Sequence, residues 1–200
     1  MTLGALPGRD PQALLHKARQ QWGGASDLWV FGYASLIWRP EFEYLERHLA
    51  HLRGWHRALR MRSRINRGTP ELPGLVFALL PGGSCHGMVY RIARERADDE
   101  LERLWLREMP TGVYDPRWMP CRTATGDVKA LAFTLSRRSP NYTGRLADAE
   151  LVEILRHARG RYGRTLDYLV ESAQALRELG RSDPEMERLL ALARRNDLIA

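Results

Sequence analysis

Apolar positions along the chain fall into two spacings, and each predicts a different kind of element. Short apolar or alternating runs, bounded by glycine and proline, predict strands at 28–33, 54–63, 75–80, 86–92, 117–124 and 128–136. Pro81-Gly-Gly-Ser84 and Gly126-Asp127 read as the turns of two hairpins between these runs. Spacings of three and four predict helices. The first opens at Asp10 as N-cap with Pro11 in the first turn, runs to Trp22 and stops at Gly23 and Gly24. A second covers 95–109, with Ala97, Leu101, Leu104 and Trp105 as its inward stripe. The C-terminal third reads as helical at 148–159, 165–179 and 184–195, the last opened by Asp183 and Pro184.

Six short strands with one inserted helix predict an α+β fold built on a small closed or curled mixed sheet. Strand–helix alternation is too sparse for a doubly wound sheet, and no GxGxxG is present. At 200 residues the chain fits one domain able to bury roughly 70% of its unfolded surface. The expected division is an N-terminal helical extension, 1–27, followed by a domain at 28–200 that includes the C-terminal helices.

Charge changes this picture little. The net charge of +7 suits a nucleic-acid partner in amount but not in distribution. Only Lys17 and Lys129 are lysines, and the arginines are spread from Arg9 to Arg195 without a basic tail. A local basic face is expected along one strand, from Arg57, Arg60, Arg62 and Arg64. An arginine-rich RNA-binding protein is therefore a minor alternative, and no nucleic-acid partner is expected. No apolar run approaches the ~20 residues of a membrane span, so no membrane partner is expected either. Residues 1–10 lack a basic stretch followed by an apolar core. Cys85 and Cys121 fit no metal or redox spacing. These features together point to the cytoplasm.

Chemistry concentrates at two places. At 29–38 an apolar strand stops at Gly32 and runs into a turn of small residues, Ala34 and Ser35, before Leu36, Ile37 and Trp38 resume the apolar character. Such a turn is either an ordinary strand-to-loop connection or a concavity of backbone N–H groups suited to an anion. At Ser35 the hydroxyl is either a further donor or a turn-forming group. The second place is Glu108, the next position on the inward stripe of the 95–109 helix. If it is buried near the helix C-terminus, its carboxyl pKa rises and it becomes a better base near neutral pH. If the helix ends a turn earlier, it is solvated or paired with Arg107 or Arg117. Rival sites are weaker. Cys85 and His86 are consecutive in an extended segment and point to opposite faces. His48, His51 and His56 complete no metal-ligand spacing, so no metal is expected.

The residues of the turn, FGYASLIW (31–38), resemble the FGYGSLIW signature of the ChaC-type gamma-glutamylcyclotransferases, enzymes that degrade glutathione. RGTPELPGLV (67–76), GGSCHGMVYR (82–91), WLREMPTGVY (105–114) and PNYTGRL (140–146) are similar to segments of that family in the same order, so the resemblance spans 28–195. It implies a small β-barrel flanked by helices, a reaction without cofactor or metal, and glutathione or a related γ-glutamyl peptide as substrate. Glu108 matches the family's catalytic glutamate. The substrate-binding residues implied are Gly32, Tyr33, Ala34, Ser35, Leu36, Ile37 and Tyr142, the last either a substrate contact or a wall residue. Arg67 to Glu71 looks like a lid or wall, with Glu71 a possible second carboxylate. Ala34 departs from the family's glycine, harmlessly if its φ is negative and at a cost of about 1 kcal/mol if it is positive. A non-catalytic binding module on the same barrel is the alternative.

Overall fold

The computed structural model describes residues 9–200. They form helices α1 (Pro11–Trp22), α2 (Ser35–Trp38), α3 (Arg94–Glu108), α4 (Asp148–His157), α5 (Thr165–Glu178) and α6 (Pro184–Arg195). The strands are β1 (Leu28–Gly32), β2 (Glu46–Ser63), β3 (Gly74–Ile92), β4 (Asp115–Thr123), β5 (Gly126–Thr134), β6 (Arg159–Gly160) and β7 (Gly163–Arg164). Two compact units divide the chain, one of residues up to 56 with 79–136, the other of 57–78 with 137–200.

A closed barrel runs in the order β1-β3-β2-β4-β5. β1 pairs antiparallel with β3, Gly32 opposite Met88, and parallel with β5, Val30 opposite Leu131, so the sheet is mixed as expected. In the first unit Val30, Phe31, Val89, Tyr90, Leu131 and Phe133 are buried almost completely. Along α3 the stripe of Ala97, Leu101, Leu104 and Trp105 is buried, as its spacing predicts. Trp105 Nε1 donates to the Pro11 carbonyl of α1 at 2.8 Å. The α1 cap forms as read, Asp10 accepting from the Gln12 amide and Gly23 closing the helix with φ +78°.

Three strand expectations are corrected. The runs 75–80 and 86–92 are one strand, because Pro81-Gly-Gly-Ser84 does not turn the chain back. Gly82 and Gly83 take positive φ (101° and 72°) and bend β3 without ending it, while the His56 ring bonds the Gly82 carbonyl (Nδ1···O 2.8 Å). β2 begins at Glu46 and not at 54, because Gly54 (φ +80°) is likewise an interior bend. The β4–β5 hairpin forms, but its turn is Ala124-Thr125, with Gly126 (φ +130°) pairing with Thr123.

In the second unit α4, α5 and α6 pack with the chain at 57–78. The Leu75 amide donates to Thr165 Oγ1 (3.0 Å) and the Phe77 amide to the Tyr168 hydroxyl (3.2 Å). Arg57 does not join the expected basic face. Arg57 is 3% exposed and donates to Asp183 (3.2 Å), the N-cap of α6, while Arg62 pairs with Glu150 and Arg64 donates to Asn141.

Candidate active site

β1 ends at Gly32 because the chain must fold back immediately into α2. A Cβ on Gly32 would lie 2.7 Å from Leu36 Cβ and 3.4 Å from the Tyr90 ring. Gly87, on the neighbouring strand, is held to glycine in the same way: its Cβ would lie 2.3 Å from the Gly32 carbonyl oxygen. Between these close approaches the turn is shaped by backbone. Ala34 has φ −144°, outside the left-handed region that calls for glycine, so the turn accommodates its Cβ. The Ile37 amide donates to the Ala34 carbonyl (2.8 Å) and the Arg39 amide to the Ser35 carbonyl (2.8 Å). The amide of Ile37 is therefore used within the turn. Those of Ser35 and Leu36 sit in the first turn of α2, where no intrahelical carbonyl is available.

Side chains from the barrel fix this turn in place. The Tyr33 hydroxyl donates to the Phe133 carbonyl (3.1 Å). The Tyr90 hydroxyl faces the carbonyls of Leu36 (2.8 Å) and Ile37 (3.1 Å), and burial pushes its pKa up to about 12, so it stays a donor at any physiological pH. Replacing Tyr90 by Phe deprives both buried carbonyls of that donor. The expected loss is about 1–3 kcal/mol of stability, read as a lower urea midpoint with an unchanged m value.

Glu108 is the last residue of α3, and its side chain is 17% exposed. Burial raises its carboxyl pKa first of all; Arg107 lowers it and Glu41 raises it. α3 does not end a turn earlier, so Glu108 stays largely buried, and it is paired as well, Arg107 Nε lying 3.2 Å from Glu108 Oε1. Arg117, the other suggested partner, stacks on Trp55 instead (5.6 Å).

Arg107 also joins the carboxylate to the turn. Its Nη2 donates to Ser35 Oγ (3.3 Å), and its Nη1 to the Arg39 carbonyl (2.6 Å), the Pro40 carbonyl (3.2 Å) and Glu41 Oε2 (2.9 Å). Because Ser35 Oγ accepts from Arg107, the hydroxyl hydrogen remains available to a ligand. One guanidinium thus ties the 32–37 turn to Glu108. Arg107 as a clamp, Glu41, Tyr90 and Gly87 escape sequence reasoning, since their roles lie in contacts between distant segments.

Tyr142 is in the second unit, half-buried, bridged to Met61 and donating its amide to the Ser139 carbonyl. Glu71, also in that unit, is exposed, and a hydrogen bond from its own backbone, with another from Thr69, lowers its pKa, which makes it a poor base. Arg67, at the start of that loop, is 6% exposed and donates to the Tyr162 carbonyl (2.5 Å). Cys85 is buried with its thiol against the His86 backbone, not the ring, which stacks on His51 (4.6 Å). Burial pushes the Cys121 thiol up to about 12, so no thiolate is available there. The double variant Cys85→Ala/Cys121→Ala should keep near wild-type turnover with some loss of thermal stability; a folded but inactive protein would restore a cysteine nucleophile. No group of three His, Cys, Asp or Glu residues among the described residues could hold a metal ion.

Two recesses of about 620 and 470 Å³ flank α1, sharing Gln21, Trp118 and Lys129. They offer no free base. Asp115 is paired with Arg9 (2.8 Å), and Asp27 and Glu46 with Arg91 (3.0 and 2.7 Å).

A family model described as ChaC-like protein matches residues 28–196. An Escherichia coli protein named glutathione-specific gamma-glutamylcyclotransferase is 37% identical over 166 residues, covering 82% of this chain and 71% of its own. A Schizosaccharomyces pombe protein of the same name is 32% identical, covering 76% and 84%. In fold, the chain is similar to the crystal structure of a yeast gamma-glutamyl cyclotransferase specific to glutathione, with a TM-score of 0.79 at 22% identity over 85% of this chain and 96% of that one.

Proposed function

The chain belongs to the ChaC-like family, and we propose that it is a gamma-glutamylcyclotransferase that degrades glutathione, with Glu108 as its general acid–base. The observation that carries this reading is the single guanidinium of Arg107, hydrogen-bonded to the 32–37 turn and ion-paired with a largely buried carboxylate of raised pKa.

The reaction is an intramolecular ring closure. Glutathione's α-ammonium first gives a proton to Glu108. The freed amine attacks the γ-carbonyl, a C–N bond forms, and a five-membered ring closes. The bond to the cysteinyl nitrogen then breaks as that nitrogen receives the proton from Glu108, and the surplus proton of the ring nitrogen follows through the same carboxylate, releasing 5-oxoproline and Cys-Gly with its amino group as ammonium. One carboxylate serves both transfers because donor and acceptor nitrogens share the same carbon. Its raised pKa makes it a stronger base than a solvated glutamate. The remaining demand is to hold the chain in a near-attack geometry. We assign that to the turn, where Gly32, Tyr33 and Ala34 shape the concavity and Leu36 and Ile37 wall it. The amides of Ser35 and Leu36, with the Ser35 hydroxyl, take the α-carboxylate and the oxyanion that develops on the γ-carbonyl. Tyr142 is assigned to the substrate's polar groups on its match to the family tyrosine.

The proposed compartment is the cytoplasm, where thiols stay reduced and glutathione is held; both cysteines are free, and no helix among the described residues is long and apolar enough to cross a membrane. The deciding experiment incubates purified protein with glutathione and measures Cys-Gly and 5-oxoproline. Equimolar products are expected, at the same rate with chelator present. Release of glutamate, or a rate that collapses with chelator and returns with a divalent ion, would overturn the mechanism.

A further inference from the structure

Arg107 serves two carboxylates, and the second of them lies on a strained backbone. Glu41 has φ +57°, a left-handed conformation uncommon for a residue with a Cβ, which persists only where its surroundings hold it. Here both carboxylate oxygens are held. Oε1 accepts from Arg39 Nε at 2.5 Å and Oε2 from Arg107 Nη1 at 2.9 Å. The same Nη1 also reaches the Arg39 and Pro40 carbonyls, so the loop at 39–41 holds one edge of the guanidinium. Glu108 meets this guanidinium through Nε, 3.2 Å from its Oε1, while Nη2 turns to Ser35. Two parallel N–H···O bonds are the strong mode of an Arg–carboxylate pair. Glu108 therefore has a partial hold on a cation whose other contacts belong to the loop and the turn.

We propose that Glu41 is a positioning residue for the reaction, holding Arg107 on the 39–41 loop so that this cation neutralises Glu108 only in part and leaves it basic. The inference rests on Glu108 being the general base. The charges bearing on Glu108 are Arg107 from its own helix and Glu41 from the loop, with Arg39 engaged on the other oxygen of Glu41. Without the negative charge of Glu41, the guanidinium is free to close on Glu108 and favour its ionised form. Without Arg107, Glu108 keeps its burial and loses the cation paired with it.

The two removals therefore act in opposite directions, which simple loosening of the loop cannot do. In the full-length protein, the Glu108 carboxyl carbon is titrated by NMR, its signal assigned by its loss in Glu108→Gln, beside the pH profile of kcat/KM for glutathione. Glu41→Gln should lower the Glu108 midpoint and the acid limb together by about one pH unit, and Arg107→Met should raise both by a similar amount. Glu41→Asp, which keeps the charge, should return the midpoint most of the way to wild type. Should Arg107→Met fail to fold, the Gln and Asp variants at position 41 decide between them. A midpoint that stays put in Glu41→Gln, or moves the same way in both removals, would overturn the proposal. If the midpoint moves as expected while the acid limb does not follow, Glu108 is not the base, and Glu41 loses its place in the reaction although the coupling stands.

Discussion

Glu108→Gln should leave a folded protein that turns over glutathione about 10²–10⁴-fold more slowly, the usual worth of a general acid–base. Gln is nearly isosteric, and Arg107 keeps Ser35, Glu41 and two carbonyls as partners. The amide cannot accept the ammonium proton, so the loss should fall on kcat, with KM moving much less. Stability should change in the other direction. The folded-state pKa of Glu108 is raised, so the folded protein binds more protons than the unfolded chain between the unfolded value, about 4.3, and the folded one. Ionising Glu108 therefore costs stability as pH rises through that window. The Gln variant should melt at an equal or higher temperature at pH 7, and its advantage should vanish as pH falls below about 4. A Gln variant with near wild-type turnover would remove Glu108 from the chemistry, and a Tm that falls at neutral pH would contradict the burial argument.

Gly32→Ala carries the second large effect, through the turn. The added Cβ would sit 2.7 Å from Leu36 Cβ, with the Leu36 carbonyl carbon at 3.3 Å, so α2 must move away. Overpacking of this kind costs about 1–3 kcal/mol. A displacement near 1 Å at a positioning element can cost about 10²-fold in rate. We expect kcat/KM to fall by about that much, chiefly through KM, together with a lower urea midpoint. Ala34→Gly is the matched control, since the φ of Ala34 is negative and needs no glycine. It should keep wild-type activity and lose at most about 1 kcal/mol, the entropic cost of freeing the unfolded chain. If Gly32→Ala proved silent while Ala34→Gly changed the kinetics, the cradle would have been placed one step wrong along the turn.

Local signals account for what the sequence alone determined. Helix starts follow from single side chains: Asp10 with Pro11 and Asp183 with Pro184 open α1 and α6 where they were read. The α3 stripe was legible because burial on a helix repeats every three to four residues, which also brought Glu108 inward. The strands are legible in the sequence and their joins are not. Gly54, Gly82 and Gly83 look like turn residues in sequence, yet whether a glycine bends a strand or reverses it depends on the strand alongside. Barrel closure follows from the parallel β1–β5 pairing, between segments a hundred residues apart that carry no mark of their partner. The active site divides the same way. Gly32 and Glu108 announced themselves by a strand end and a helical period. Arg107 showed only as one partner for Glu108, and Glu41 gave no sign, because a guanidinium's several donors acquire meaning only once the fold brings the 35–41 loop beside the end of α3. Sequence decided which residue could be the base; tertiary structure decided how strong a base it is, because that strength depends on the buried charges packed around it.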